Sequence, residues 1–193
     1  MHNCQLNEFS KINNHFNRSK ISMGKMVIET GISSKIYFWE GLPNSDEKSN
    51  LIIKNYVSIA PMCTFIMGGN HRSDWFTHQL LVDQSEMESD EIISKGDIII
   101  GNDVWIGYNV TIMSGTDIPE GCVIGTNSVV SGHKFQPYDI IVGNPAVSVK
   151  KRLSEDVIEI LLKLKWWDWE EEKIKRYSKL LKSNNIDELK KLL

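Results

Sequence analysis

The stretch Ile100–Phe135 reads IGNDVW, IGYNVT, IMSGTD, IPEGCV, IGTNSV, VSGHKF, six consecutive blocks of six residues. Each block begins with a β-branched aliphatic residue: Ile100, Ile106, Ile112, Ile118, Ile124 and Val130. The fifth residues of the first five blocks are small: Val104, Val110, Thr116, Cys122 and Ser128. About a fifth of ordinary positions are Ile, Val or Leu, so six in a chosen register would arise by chance about once in ten thousand trials.

A period of six fits neither an α-helix, which repeats at 3.6, nor a half-buried strand, which repeats at 2. It fits a short flat strand followed by a turn, repeated so that each coil buries what a single coil cannot. The aliphatic and the small residue are both predicted to point inward, so Cys122 is interpreted as structural. Gly101, Gly107 and Gly125 are expected to relieve crowding beside the aliphatic residues.

The same register occurs earlier in the chain. Blocks begin at Ile53, Ile59 and Phe65, and Cys63 takes the small position. A weaker version is predicted from Ile21 and Val27, whereas residues 39–50 break the pattern and are interpreted as a loop.

The pattern predicts three regions. Residues 1–50 form a poorly patterned N-terminal region with early coils and a loop. Residues 51–152 form a β-helix domain from which a long loop, residues 70–95, protrudes, because Phe65 and Ile100 are 35 positions apart and out of register. Long loops on a rigid scaffold usually carry function. Residues 153–193 form an α-helical tail.

The tail changes to helical periodicity. Ser154 is a candidate N-cap, followed by apolar residues at i, i+4 and i+7. Two further helices are expected around Ile174 to Leu181 and around Ile186 and Leu189. The tail is interpreted as a cap over the open end of the coil, since solenoid ends need covering.

Composition narrows the class of protein. The chain has 193 residues, 41% of them hydrophobic and 24% charged, with a net charge of −3. Nucleic-acid binding is not expected, because it favours a basic face. No apolar run reaches the roughly 20 residues of a transmembrane helix, and no signal-peptide pattern is seen. A cytoplasmic location is therefore predicted.

Four segments carry a family resemblance. The strings are FIMGGNHRSD, KGDIIIGNDVWIG, VGNPAVSVKKR and LKWWDW, in that order across about residues 50–170. They resemble the xenobiotic group of hexapeptide-repeat acyltransferases, which includes chloramphenicol and streptogramin acetyltransferases, and related sugar and polysaccharide O-acetyltransferases. The resemblance implies a left-handed parallel β-helix, a homotrimer with sites between subunits, and acetyl-CoA as cosubstrate. Period six alone does not give the handedness.

His71 is the candidate general base. It stands where the coil ends and the loop begins, and it matches the catalytic histidine of the family. A hydroxyl acceptor must lose its proton as it attacks a thioester, and an imidazole suits that step because its ordinary pKa is near neutral. Asn70 and Asp74 flank His71 and are candidate substrate-binding residues. What orients His71 is left open.

Trp105 is predicted to be exposed at the sixth position of its block, where the resemblance implies contact with the acetyl-pantetheine arm. The resemblance implies further acetyl-CoA contacts, and these are Tyr108, Thr126, Ser131, Lys150 and Lys151. A flexible cation such as Lys150 suits a phosphate.

The predicted function is acetyl-CoA-dependent O-acetylation of a sugar, surface polysaccharide or similar hydroxyl acceptor, with no metal required. The loop after Asp74, WFTHQLL, departs from the antibiotic-inactivating members. The alternatives are antibiotic O-acetylation and N-acetylation of an amino sugar. Zinc chemistry on His71, His78 and His133 and a non-catalytic assembly role are weaker hypotheses.

Overall fold

A computed structural model describes residues 21–25, 28–29, 34–37, 49–79, 81, 91–132 and 135–193. Its strands follow one another as coils. The first coil is β1 (Ile21–Met23), β2 (Ile28–Glu29) and β3 (Lys35–Tyr37), and the second is β4 (Leu51–Ile53), β5 (Ser58–Ile59) and β6 (Thr64–Ile66). A short excursion pair follows, β7 (Asn70–His71) and β8 (Ile92–Ile93). The third coil is β9 (Ile98–Ile100), β10 (Trp105–Ile106) and β11 (Thr111–Met113). The fourth is β12 (Asp117–Ile118), β13 (Val123–Ile124) and β14 (Val129–Val130), before a final hairpin of β15 (Asp139–Gly143) and β16 (Ala146–Lys151).

Equivalent strands of successive coils pair in parallel and build three sheets. Their orders are β1-β4-β9-β12, β2-β5-β10-β13-β15-β16 and β3-β6-β11-β14. Only β7–β8 and β15–β16 are antiparallel among the described strands. The chain is therefore mainly β, a parallel stacked coil as the period of six predicts.

The predicted inward ladder is confirmed. The first residues of the six blocks from Ile100 to Val130 are at most 1% exposed and belong to one core with Ile53, Ile59 and Phe65. The register aligns Ile53 with Ile100 and Phe65 with Ile112. Equivalent side chains thus stack on one another along the coil, which excludes water from all of them together.

Three of the fifth-position side chains can donate to turn carbonyls. Thr116 Oγ1 donates to the Met113 carbonyl and Ser128 Oγ to the Gly125 carbonyl, each at 2.7 Å. Cys63 Sγ lies 3.1 Å from the Ala60 carbonyl in the same geometry. At these three positions a short polar side chain satisfies the carbonyl three residues before it, which an aliphatic side chain could not do.

The weak register predicted for the first coil is wrong by two residues. Met23 aligns with Ile53 and Ile21 with Leu51, so Met23, not Ile21, takes the first position. Residue 28 aligns with Ser58, and residue 27, the other predicted block start, lies outside the described residues. Ile21 occupies the fifth position of the first sheet, together with Leu51 and Ile98. Because this position holds large buried residues in the second and third coils, Ile21 could be mistaken for the first residue of a block.

The tail folds as predicted into α1 (Glu155–Leu164), α2 (Glu171–Leu181) and α3 (Ile186–Lys190), with a 3-10 turn at Trp166–Asp168. Ser154 stands at the N-cap of α1 but makes no side-chain capping bond. The Asn185 side chain does cap α3, accepting from Glu188 N at 3.1 Å.

The tail lies along one side of the coil and does more than cover its end. Tyr138, at the last turn, is buried against α1. The Trp166 ring packs 4.8 Å from the Tyr56 ring, and Asn55 Nδ2 donates to the Trp167 carbonyl at 3.4 Å. Tyr56 and Asn55 belong to the second coil, so the prediction of a cap over the open end needs this correction. Within the described part of the chain, no helix has the length and apolar character to span a bilayer.

Candidate active site

His71 lies where the chain leaves the second coil. The coil continues through the buried Met67 and Gly68, and His71 then pairs with Ile92 in the antiparallel β7–β8 ladder. Its side chain is exposed. The His71 imidazole is therefore open to a substrate while its backbone is held by a second strand.

Asn70 is turned toward the coil. Its Nδ2 donates to the Ile93 carbonyl at 3.1 Å and to Ser114 Oγ at 3.3 Å. Ser114 is 1% exposed and belongs to the turn that follows β11. The Asn70 side chain therefore joins the excursion to the coil, and its contact with a substrate stays a prediction.

The Asp74 carboxylate accepts two hydrogen bonds from the Arg72 guanidinium. Arg72 Nε donates to Asp74 Oδ1 at 2.8 Å and Arg72 Nη2 to Asp74 Oδ2 at 2.6 Å. These bonds lower the pKa of Asp74 to about 2. The Arg72 guanidinium also lies 5.3 Å from the Trp75 ring centroid. Asp74 is thus an ionised carboxylate fixed in a local cluster, and no hydrogen bond to His71 is seen among the described residues.

Exposed aromatic and apolar side chains follow His71 in the chain, and one ring, that of His78, lies near it. The His78 ring lies edge-on to the His71 ring at 6.4 Å between centroids. Trp75, Phe76 and Leu81 are all exposed. Residues 80 and 82–90, the rest of the predicted loop 70–95, lie outside the described residues.

Trp105 stands in an open groove on the outer side of the second sheet. It is 56% exposed, and its register partners are Ser58 on one side and Val123 on the other. Val123 in turn pairs with Ile140, so these four residues form one outward row. Strand spacing makes this row about 14 Å long. Tyr56, Asp103 and Arg152 complete the groove.

The structure places Tyr108 and Thr126 on one corner of the coil and Ser131 on a different corner. Tyr108 and Thr126 occupy the same turn position of the third and fourth coils, and both are exposed. The Tyr108 carbonyl accepts from Asn127 N at 2.9 Å, and Asn109 Nδ2 donates to Asn127 Oδ1 at 2.8 Å in the same corner. Ser131 follows β14, on the next corner of the coil.

The two lysines differ in their surroundings. Lys150 is exposed on β16 opposite Ile140, which belongs to the groove. Lys151 Nζ instead lies 3.1 Å from Oδ1 of the buried Asp139 and donates to the Pro137 carbonyl at 2.9 Å. The predicted role of Lys151 toward acetyl-CoA therefore competes with a structural ion pair.

Sequence reasoning missed Arg152. Its Nη2 lies 3.2 Å from Asp103 Oδ2, its Nη1 donates to the Gly121 carbonyl at 3.0 Å, and its guanidinium stacks 5.3 Å from the Tyr138 ring. Burial raises the pKa of Asp103 while Arg152 opposes the shift. Two features of the sequence could have indicated this ion pair. They are the acidic residue Asp103 in the turn block IGNDVW and the basic run that ends in Arg152.

His71 does not line the Trp105 groove. Trp105 belongs to the second sheet, whereas His71 follows a strand of the third. The predicted base and the predicted donor contact therefore occupy different sides of a single chain.

Comparison with known proteins identifies the relatives of this chain. Residues 97–132 match the family described as "Bacterial transferase hexapeptide (six repeats)". The chain is 40% identical over 151 residues to a chloramphenicol acetyltransferase of Klebsiella aerogenes, a match covering 75% of this chain and 71% of that protein. It is 40% identical over 147 residues to a virginiamycin A acetyltransferase of Staphylococcus aureus, covering 73% and 67%. A putative lipopolysaccharide biosynthesis O-acetyl transferase of Escherichia coli is 38% identical over 88 residues, covering 45% and 43%. Among solved structures, a hexapeptide-repeat acetyltransferase of Vibrio cholerae shares the fold at a TM-score of 0.53 and 24% identity, covering 70% of this chain and 64% of that one.

Proposed function

This chain belongs to the hexapeptide-repeat acetyltransferase family that includes the chloramphenicol acetyltransferases, and from that premise we propose that it transfers the acetyl group of acetyl-CoA to a hydroxyl group. The observation that carries the proposal is the exposed His71 at the margin of the coil, followed in the chain by exposed aromatic side chains.

His71 serves as the general base. The acceptor oxygen attacks the thioester carbonyl carbon, the acceptor proton passes to the imidazole, and the carbon–sulfur bond breaks. The proton then leaves with the thiol of coenzyme A. A positioned base of this kind contributes about 10²–10⁴-fold to the rate.

The Trp105 groove receives the donor. Its floor is the apolar row of Trp105, Val123 and Ile140, which suits an extended pantetheine arm, with Tyr108 and Thr126 at the adjacent corner. Lys150 is the cation proposed to bind the phosphates of acetyl-CoA. Ser131 is proposed as a further contact with acetyl-CoA. Lys151 is a secondary candidate because Asp139 already engages it.

The working site lies between two copies of the chain. The separation of His71 and Trp105 on different sides of one coil supports a site that is completed by a neighbouring subunit. A homotrimer satisfies this requirement for every site by closed symmetry. The coil is proposed to be left-handed, as the family resemblance implies. The proposed location is the cytoplasm, where acetyl-CoA is available.

The acceptor class has two candidates. A sugar or surface polysaccharide is the preferred one, because the segment after Asp74 departs from the antibiotic-inactivating members. An antibiotic hydroxyl is the second, favoured by identities of 39–42% to four chloramphenicol acetyltransferases. An amino sugar, acetylated on nitrogen, is the remaining alternative.

The test is a thiol-release assay with acetyl-CoA and a panel of oligosaccharides, amino sugars, chloramphenicol and streptogramins. Wild type is compared with His71→Ala and with His78→Ala as the matched histidine control. Acceptor-dependent release that is lost in His71→Ala and kept in His78→Ala supports the proposal, and the active acceptor names the class. Equal rates in wild type and His71→Ala would remove His71 as the base.

A further inference from the structure

We propose that Asn70 and Ser114 form a hydrogen-bonded pair that positions His71, with Ser114 acting from inside the coil. This inference rests on the proposed function, because it assigns these two residues a role in supporting the base. Neither residue touches the reacting atoms, so both are positioning residues.

The strand that carries His71 is weak on its own. β7 and β8 have two residues each, and their only register pairs are Asn70 with Ile93 and His71 with Ile92. Isolated two-stranded pairs are marginally stable in water. The direction of the His71 side chain therefore depends on what else fixes this short ladder to the coil.

The Asn70 amide supplies that link. Its Nδ2 donates to the Ile93 carbonyl at 3.1 Å, within the ladder, and to Ser114 Oγ at 3.3 Å, within the coil. A primary amide has two N–H donors. Both are engaged, so donating to an acceptor molecule would require Asn70 to release one of these partners.

Ser114 anchors both ends of the excursion. Its hydroxyl also accepts from Lys95 N at 3.3 Å, and next to it Gly115 N donates to the Gly96 carbonyl at 2.9 Å. A hydroxyl oxygen has two acceptor lone pairs, which matches these two donors. Because Ser114 is 1% exposed, the anchor lies in the packed interior of the third coil.

Kinetics test the role with a matched control. Ser114→Ala is expected to lower kcat by about 10-fold or more, since a misplacement of about 1 Å can cost 10²-fold, with the KM for acetyl-CoA unchanged within about twofold. Ser114→Thr keeps the hydroxyl and is expected to recover most of the rate. The control is Thr116→Val, which removes a buried hydroxyl two residues away that donates to the Met113 carbonyl at 2.7 Å. Its kcat is expected to stay at the wild-type level.

A double substitution separates positioning from substrate contact. If the pair acts as a unit, the loss of rate in Asn70→Ala combined with Ser114→Ala is smaller than the sum of the two single losses, because the link that the two residues share is lost in each single variant. Additive losses, or a raised acceptor KM in Asn70→Ala that Ser114→Ala does not share, would overturn the proposal in favour of substrate contact.

An NMR measurement that does not depend on turnover tests the positioning role separately from the proposed acetyl transfer. The His71 imidazole signal, identified in proton NMR spectra by its loss in His71→Gln, is expected to shift or broaden in Ser114→Ala and to stay in place in Thr116→Val. An unchanged signal in Ser114→Ala would overturn the positioning role whether or not an acceptor has been found. A changed signal in a protein inactive on every acceptor would overturn the proposed function alone.

Discussion

Arg152 and Asp103 join the last strand to the turn that precedes Trp105, with Nη2 of Arg152 3.2 Å from Oδ2 of Asp103. Arg152 N also donates to the Tyr138 carbonyl at 2.8 Å, and its Nη1 reaches the Gly121 carbonyl. One residue thus ties together three successive turns on the corner where the groove begins. The Tyr138 ring lies 5.3 Å from the Arg152 guanidinium, and its buried hydroxyl has no hydrogen-bond partner among the described residues.

Removing the arginine is expected to destabilise the coil in a pH-dependent way. Arg152→Leu leaves Asp103 partly buried without its cation, which should lower the free energy of unfolding by about 2 kcal/mol at pH 7. Burial raises the pKa of Asp103 in the fold and Arg152 opposes that shift, so the substitution should raise the pKa further. The folded state then holds a proton that the unfolded state releases near pH 3.9, so stability falls as pH rises above that value.

Denaturant unfolding of wild type and Arg152→Leu at pH 4, 5.5 and 7 measures this effect. The gap between the two proteins should widen toward pH 7. The control is Arg152→Leu combined with Asp103→Asn, in which the widening should vanish. A gap that is the same at all three pH values would contradict the prediction.

The two neighbouring lysines should respond oppositely to substitution. Lys151→Ala removes the cation beside the buried Asp139 and is expected to cost about 2 kcal/mol of stability. Lys150→Ala should leave stability within about 0.5 kcal/mol, because Lys150 is exposed, and raise the KM for acetyl-CoA several-fold. Thermal unfolding and steady-state kinetics of both variants check this. A destabilised Lys150→Ala with normal donor KM would reverse the assignment.

Gly107 should not tolerate a side chain. An added Cβ would lie 2.8 Å from the Ile124 carbonyl oxygen and 2.9 Å from Thr126 N in the next coil. Because both atoms are backbone, Gly107→Ala must push two coils apart and is expected to cost about 1–3 kcal/mol. Gly68→Ala is the control, since its nearest new contact is the Ser94 Cβ at 3.4 Å. Equal melting temperatures for the two variants would contradict the steric argument.

Cys122 should be unreactive in the folded protein. Burial raises the pKa of its thiol to about 12, so the reactive thiolate is scarce at pH 8. In a Cys4→Ser, Cys63→Ala variant Cys122 is the one remaining cysteine. An aromatic disulfide reagent should label it only after unfolding in guanidinium. Rapid labelling of the native variant would indicate a local opening of the fourth coil.

Much of the site could be predicted from local sequence, but its partners could not. His71 at the end of the coil and Trp105 on the outer side follow from the strand period and from family motifs. The engagement of Asn70 by Ser114 and of Lys151 by Asp139 joins residues 44 and 12 positions apart. A repeat predicts which side of the coil a residue faces but not which donor reaches which acceptor, because that depends on turn geometry.

The sequence by itself determined the parallel coil, its inward ladder, the small fifth positions from Val104 to Ser128 and the three helices of the tail. These features follow from periodicity, since equivalent residues must stack whenever the period matches strand plus turn. Only the tertiary structure decided that the tail lies along the corner beside Tyr56, that Met23 takes the first position of its coil, and that Arg152 holds Asp103. Each of those outcomes depends on contacts between segments distant in the chain, and such contacts are selected by packing and charge in three dimensions and leave no local period.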